Sequence, residues 1–390
     1  MDNMIVVQFI FTYMEKLMLA FLSLLTFNML LPINSGHRNQ MLHKEQEVQY
    51  DGPYVHYMGD QVFVNYIIET NGAKNVKTDS IALQQKDSLS LKVMTDVAGK
   101  SFHVQLKKDL QNEKSEFGKV KKLLALSDIE GNFGAFRKLL QANKVIGEDL
   151  NWTFGDGHLV LTGDFFDRGQ QVTEVLWFIY YLEEKAKAGG GYVHFILGNH
   201  EIMNLSGDLR YLNQKYFDNS KLLDQQYVTL YDENSELGRW LRTKNIVEKI
   251  GDILFAHGGI SGYINRMNTS IPDINTLAQP YYADSTYKYA DQRSDVIFSD
   301  FGPFWYRGYY VKNDPAIPLQ IDSTLSQFGV KHIITGHSIV ADTISVWYNG
   351  KLLNTDVHHA AGKSEALLIE NDKFYRVNAE GHKVLLMEGD

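Results

Sequence analysis

The stretch HLVLTGDFFDRG, residues 158–169, decides the fold of this chain. It starts as an apolar run of the kind that forms a buried strand, and it ends in a glycine-rich turn that carries Asp164, Asp167 and Arg168. The tetrapeptide GNHE begins 35 residues after the first glycine of that turn and closes a second apolar run in the same way. Five fixed letters in GDxxDRG, followed in order by GNHE, make a chance match improbable.

Further apolar runs lie on both sides of this pair. They cover residues 123–128, 192–199, 252–258 and 332–337, and a helical pattern fills residues 172–188. Strands that alternate with helices predict an α/β sandwich. After residue 337 shorter runs surround Asn349-Gly350, a turn that is typical of an antiparallel hairpin.

Each of these strands is followed by polar side chains. In α/β sheets, ligands bind just beyond the carboxyl ends of the strands, so these side chains should meet at one edge. Carboxylate, amide and imidazole donors without cysteine suit Mn, Fe, Zn or Mg. A single histidine or a single Asp-x-Glu pair is usually structural, and the ordered set carries the prediction. The candidate metal ligands are Asp128, Glu130, Asp164, Asn199, His257 and His337.

The series D-x-E, GDxxDRG, GNHE, HGG and GH resembles the calcineurin-like metallophosphoesterases. The DRG and GNHE forms resemble the phosphoprotein phosphatase branch. The segments GNHEIMNLSGDLRYL, GPFWYRGYY and ITGHS resemble its bacterial Shewanella-like members. The resemblance runs from about residue 122 to the C-terminus. It implies a metallophosphoesterase β-sandwich core flanked by helices, with two divalent metal ions at its rim.

The resemblance also implies a role for each motif residue. Phosphate monoesters would be hydrolysed by a hydroxide held between the two metals, and the substrate would be a phosphorylated small molecule or a phosphoprotein. The implied roles are Asp164 as the bridging ligand, Asp128 and Glu130 at the first metal, Asn199, His257 and His337 at the second, His200 as general acid paired with Asp167, and Arg168, Arg307 and Asn199 as phosphate contacts.

One position departs from the family pattern. Glu130 stands where the family usually has histidine, and an anionic oxygen there favours harder ions, with Mn²⁺ first. Two other functions stay open: hydrolysis of nucleotide or dinucleotide polyphosphates, and a degenerate phosphatase that acts as a binding module. The loops at 208–236 and 268–300, rich in Tyr, Asp and Asn, carry no specificity motif. For His358 and His359 we expect exposed loop positions.

The sequence before the motifs divides into two regions. Residues 1–36 contain a long apolar segment after Lys16, followed by the small residues Ser35 and Gly36, which are typical of a cleavage site. This pattern predicts a signal peptide and export to the periplasm or outside the cell. An uncleaved membrane anchor is the alternative. Residues 37–120 predict a β-rich region, with strands over 60–70, 80–85, 89–95 and 101–107 and hairpin turns at 71–72 and 98–99. A solvated connection is predicted over 107–122. Residues 121–390 form the predicted catalytic domain.

Composition excludes several classes of function. The net charge of −9 speaks against a general nucleic-acid binder. The chain has no cysteine, so disulfides, thiolate metal sites and thiol nucleophiles are excluded.

Overall fold

The structure, a computed structural model, describes residues 48–389. In chain order, the strands are β1 (Val48–Met58), β2 (Gln61–Thr70), β3 (Ala73–Ala82), β4 (Leu91–Met94), β5 (Ser101–Val104), β6 (Glu116–Phe117), β7 (Lys122–Leu126), β8 (His158–Thr162), β9 (Tyr192–Ile196), β10 (Val247–Ile250), β11 (Ile253–Ala256), β12 (His332–Thr335), β13 (Ser345–Trp347), β14 (Leu352–Asn354), β15 (Glu365–Glu370), β16 (Lys373–Asn378) and β17 (Lys383–Glu388). The α-helices are α1 (Phe133–Ala142), α2 (Val172–Ala188), α3 (Asn199–Ser206), α4 (Gln214–Leu222), α5 (Glu236–Leu241), α6 (Gly262–Met267), α7 (Ile271–Ala278), α8 (Gln292–Phe298) and α9 (Ala316–Phe328).

Two six-stranded sheets form the centre of the fold. One has the order β17-β16-β15-β7-β8-β9 and the other the order β13-β14-β12-β11-β10-β6. A shared cluster of buried apolar side chains joins them; it includes Ala125 and Val160 from the first sheet and Phe255 and Ile334 from the second. The predicted β-sandwich core flanked by helices is therefore confirmed.

Parallel pairing brings the ends of the motif strands to one edge. In the first sheet, β7, β8 and β9 are parallel neighbours, with Leu124 opposite Leu159. In the second sheet, β11, β12 and β14 are parallel neighbours. Because parallel strands share one carboxyl edge, the residues that follow them collect there. The helix predicted over residues 172–188 is α2, with the same bounds.

The β-rich region consists of the β1-β2-β3 sheet and the β4-β5 hairpin. The predicted hairpin turns at residues 71–72 and 98–99 join β2 to β3 and β4 to β5. The strand predicted over residues 80–85 is confirmed for residues 80–82, which end β3, and is wrong for residues 83–85, where a 3₁₀ turn, Leu83–Ser88, begins. The region packs on α2, where the indole N–H of Trp177 donates to the carbonyl of Pro53 at 2.8 Å.

The connection predicted as solvated over residues 107–122 is anchored at several points. Lys107 forms a buried ion pair with Glu183, and Glu113 binds the buried Lys244 at 2.9 Å. The short strand β6 also joins the second sheet beside β10. Ion pairs of this kind can be read only from the fold, because their partners are distant in sequence.

The predicted signal segment lies outside the described residues. Within residues 48–389 no helix is both long enough and apolar enough to cross a bilayer.

Candidate metal centre and active site

A cavity of about 560 Å³ opens at the carboxyl edge of the two sheets. Most of the predicted site residues line it. Asp167 and His257 are buried beneath the cavity wall, where Asp167 contacts His200 and His257 contacts Asp164. The predicted residues that line the cavity are Asp128, Glu130, Asp164, Arg168, Asn199, His200, Arg307 and His337.

Asp164 lies at the centre of the arrangement. Its Oδ2 is 3.0 Å from Nε2 of His257 and 3.7 Å from Nε2 of His200. Two groups of donor atoms share it, one with His257 and His337 and one with Glu130 and His200, and within each group the donors lie within 4.8 Å of one another. A carboxylate common to two donor groups is what a bridging ligand requires.

His257 is held in the orientation of a ligand. Its Nδ1 donates to the carbonyl of Thr162 at 2.7 Å, which leaves Nε2 facing Asp164 and, at 3.0 Å, Oδ1 of Asn199. Such a hydrogen bond on the far nitrogen commonly fixes the tautomer of a metal-binding histidine. Burial lowers the pKa of His257, but the Asp164 carboxylate outweighs burial and raises it to about 10.

The residues present fit divalent cations. Nε2 of His337 is buried and makes no hydrogen bond within the described part of the chain. Burial, with the charge of His257, lowers the pKa of His337 to about 2, so its ring is neutral and free to bind a metal. Burial raises the pKa of Asp128 to about 7, because the nearby charge of His257 offsets the cost of burial only in part.

Glu130 is placed differently from Asp128. Its carboxylate forms an ion pair with the guanidinium of Arg168, and its donor group contains Asp164 and His200 rather than Asp128. The side chain of Arg168 is half exposed. A shared first metal for Asp128 and Glu130 therefore stays a prediction.

His200 and Asp167 form the expected pair. Nδ1 of His200 donates to Oδ2 of the fully buried Asp167 at 2.5 Å, which turns Nε2 toward Asp164. Burial lowers the pKa of His200, but the two aspartates outweigh burial and raise it. The arrangement can hold a proton on Nε2 and deliver it to a leaving oxygen.

Arg307 is exposed, although most of its neighbours in sequence are aromatic. Its guanidinium stays in contact with water and needs no carboxylate partner inside the protein. Its Nη1 donates to the carbonyl of His337 at 2.5 Å and to Oγ of Ser338 at 3.0 Å. These contacts hold the guanidinium at the cavity wall, where its other donors can bind a phosphate.

Sequence reasoning missed two cavity residues. Asp356 follows β14 and is buried, and burial together with Asp128 raises its pKa to about 9. Tyr211 is 44% exposed, and its ring centroid lies 5.2 Å from that of His200. Asp356 belongs to no motif, whereas Tyr211 lies in the segment GNHEIMNLSGDLRYL, and that resemblance was the signal that could have found it.

The expectation for residues 358 and 359 is half wrong. His358 is exposed and bonds Asp342 at 2.9 Å. His359 is buried, and its Nε2 donates to the carbonyl of Ser127 at 3.1 Å. Both histidines line the cavity.

The last residue of GNHE is structural. The fully buried carboxylate of Glu201 accepts backbone N–H groups from Asp164 at 2.9 Å, Phe165 at 2.7 Å and Gly198 at 2.7 Å. One side chain thus ties the turn after β8 to the start of α3, and the two motifs keep a fixed separation.

Comparison with known proteins agrees with this geometry. The model of the calcineurin-like phosphoesterase family matches residues 121–341. Shewanella-like protein phosphatase 1 of Plasmodium berghei is 29% identical over 228 residues, which are 56% of this chain and 61% of the relative, so the chain spans less than two thirds of that protein. Shewanella-like protein phosphatase 2 of Arabidopsis thaliana is 25% identical over 311 residues, 66% of this chain and 76% of the relative.

A solved structure covers more of the fold. The crystal structure of a cold-active protein-tyrosine phosphatase from a psychrophilic Shewanella species superposes with a TM-score of 0.78 at 35% identity, covering 86% of this chain and 99% of that one. The family model spans more than half of the chain, and the motifs it describes converge on one cavity here. The chain therefore belongs to the calcineurin-like phosphoesterase family.

Proposed function

We propose that this chain is a metal-dependent phosphatase that hydrolyses phosphate monoesters on protein side chains. One observation carries the proposal: Asp164 is common to two donor groups, and the His200–Asp167 pair and two arginines lie around it. The relatives named as protein phosphatases support a phosphoprotein as the substrate.

The residues divide the work between binding and proton transfer. Arg168 and Arg307 supply guanidinium donors that can bind phosphoryl oxygens in pairs. His200, oriented by Asp167, protonates the oxygen that leaves with the side chain. Bound divalent cations would supply Lewis acidity and positive charge for the phosphoryl group. Asp128, Asp164, Asn199, His257 and His337 would hold them, with Glu130 as a further carboxylate.

We propose Mn²⁺ as the preferred ion, with Fe, Zn and Mg as competitors. The support is the oxygen-rich side of the site, where Asp128, Glu130 and Asp164 offer carboxylates. The test strips the full chain with a chelator, restores each metal singly, and measures metal content beside activity. The substrates are nitrophenyl phosphate, phosphotyrosine and phosphoserine peptides, and a dinucleotide polyphosphate. Turnover of the dinucleotide above both peptides would overturn the phosphoprotein assignment.

We also propose that the chain is exported, on the strength of the apolar segment after Lys16. Fractionation of bacteria that express the full chain, with N-terminal sequencing of the mature protein, tests this. Recovery of the full-length chain in the cytoplasm would contradict it.

A further inference from the structure

A second cavity lies beside the first and has no part in the chemistry. It measures about 930 Å³, and we call it the flanking groove. One wall comes from the β-rich region, from Val48 at the start of β1 and from the β4-β5 turn around Ala98. The other wall comes from the loop that begins at Arg168. The groove is large enough to hold a ligand of several residues.

The flanking groove adjoins the active-site cavity. Arg168 lines both, so a molecule whose phosphate contacts Arg168 can extend directly into the groove. The backbone is closely packed where the two cavities meet, because the N–H of Gly169 donates to the carbonyl of Glu130 at 2.9 Å. A Cβ on Gly169 would lie 2.4 Å from that carbonyl oxygen, so no side chain fits there.

The polar groups of the groove fit a polypeptide. The exposed amide of Gln170 lies along it and can bond a peptide main chain without regard to sequence. The exposed Lys92 also lines it and has no ion-pair partner among residues 48–389. The other charged residues that line the groove already have partners. Asp96 is paired with Arg137 at 2.7 Å, Glu174 with Lys215 at 3.7 Å, and Arg168 with Glu130. The charge left free in the groove is therefore positive.

We propose that the flanking groove binds the polypeptide on one side of the phosphorylated residue and favours acidic residues there. The proposal rests on the proposed function and gives the β-rich region a role in substrate selection. Substrates that consist only of a phosphate and a small leaving group do not reach the groove, and this separates binding in the groove from the chemistry.

Two variants of the full chain test the proposal. Lys92→Glu reverses the free charge, and Ala98→Trp places a large ring in the groove at an exposed turn position. Ala73→Trp, at an exposed position of the β2-β3 hairpin that does not line the groove, is the matched control. The substrates are a nine-residue phosphotyrosine peptide flanked by glutamates, its lysine-flanked counterpart, and nitrophenyl phosphate.

We expect Lys92→Glu to lower kcat/KM about five- to tenfold for the glutamate-flanked peptide, the scale of one lost exposed ion pair and one added repulsion, and to raise it for the lysine-flanked peptide. Ala98→Trp should lower kcat/KM for both peptides. Nitrophenyl phosphate should change less than twofold in every variant. Equal losses on all substrates, or unchanged peptide kinetics, would overturn the proposal. Absence of nitrophenyl phosphatase activity in the wild type would instead count against the proposed function.

Discussion

The carboxylate of Glu130 forms an ion pair with the guanidinium of Arg168, in the cavity where a phosphate would bind. A carboxylate of the protein itself therefore occupies part of the guanidinium that is proposed to bind the substrate phosphate. A phosphate that bonds Nη1 of Arg168 must therefore displace Glu130, and the carboxylate oxygen paired with that nitrogen is not free to bind a cation.

Glu130→Gln should strengthen inhibition by inorganic phosphate. The neutral amide no longer competes for Arg168, and one partly exposed ion pair contributes about 1 kcal/mol, equivalent to about fivefold in the inhibition constant. Inhibition is measured at matched metal content, with the exposed Glu148→Gln as control. Unchanged inhibition with both ions retained would mean that substrate and Glu130 do not compete.

Asp164→Asn should abolish activity and reduce bound metal at both positions. One carboxylate serves two donor groups, and an amide offers a single weak oxygen in place of two charged ones. Elemental analysis of the purified protein gives the stoichiometry, and Asp218→Asn, at an exposed position on α4, is the control. Two full equivalents of metal in the variant would contradict the bridging role.

His200→Ala should affect substrates with poor leaving groups most. A serine alkoxide needs a proton as it leaves, and loss of a general acid costs on the order of 10² to 10⁴ in rate. Nitrophenolate leaves readily without one. Rates for a phosphoserine peptide and for nitrophenyl phosphate are compared at saturating metal. Equal losses on both would assign His200 to binding or folding.

Tyr211→Ala should weaken the hydrolysis of aromatic phosphates selectively. The half-exposed ring lies beside His200, the residue proposed to protonate the leaving group, and an aromatic pair contributes about 0.5–1.5 kcal/mol. We expect a loss of about three- to tenfold in kcat/KM for a phosphotyrosine peptide and little change for phosphoserine. Tyr211→Phe should retain the preference. A uniform fall in kcat would show that Tyr211 only positions His200.

Glu174→Gln should flatten the dependence of stability on pH. Burial, and then the charge of Asp51, raises the pKa of Glu174 from 4.5 to about 8, although Lys215 lies 3.7 Å away. The folded chain thus binds this proton more tightly than the unfolded chain does. The resulting stabilisation is complete below about pH 4.5 and is lost as the pH rises through 8.

Urea unfolding between pH 5 and 9 measures this dependence. The midpoint of the wild type should fall across that range more than the midpoint of Glu174→Gln. Glu184→Gln, at an exposed position on the same helix, is the control and should follow the wild type. Parallel curves for all three proteins would mean that Glu174 stays ionised in the fold.

The motif strands could be predicted because each combines a buried apolar run with a fixed polar ending. β8, β9, β11 and β12 lie within the predicted segments, β7 begins one residue before its segment, and the parallel pairing follows from their alternation with helices. β1 was missed because Gly52-Pro53 interrupts it, and proline within an apolar run speaks against a strand. The structure tolerates the interruption through a break in register between Gln49 and Tyr54.

The sequence predicts which residue types form the site, but it does not predict which side chains contact one another. Spacing gives no information on where a long side chain turns, so the pairing of Glu130 with Arg168 appears only in three dimensions. Asp356 follows a three-residue strand in a loop without a motif, and its place in the cavity depends on the β12-β14 pairing.

The position of β15 in the first sheet has a consequence for how the protein can be divided. β15 lies between β7 and β16, although it comes more than 230 residues after β7 in the chain. A fragment limited to residues 121–341 would leave the outer edge of β7 unpaired and, without β1, would uncover Trp177. Exposed strand edges and large apolar side chains favour aggregation. The segment that the family model matches is thus smaller than the segment that we expect to fold as a stable protein.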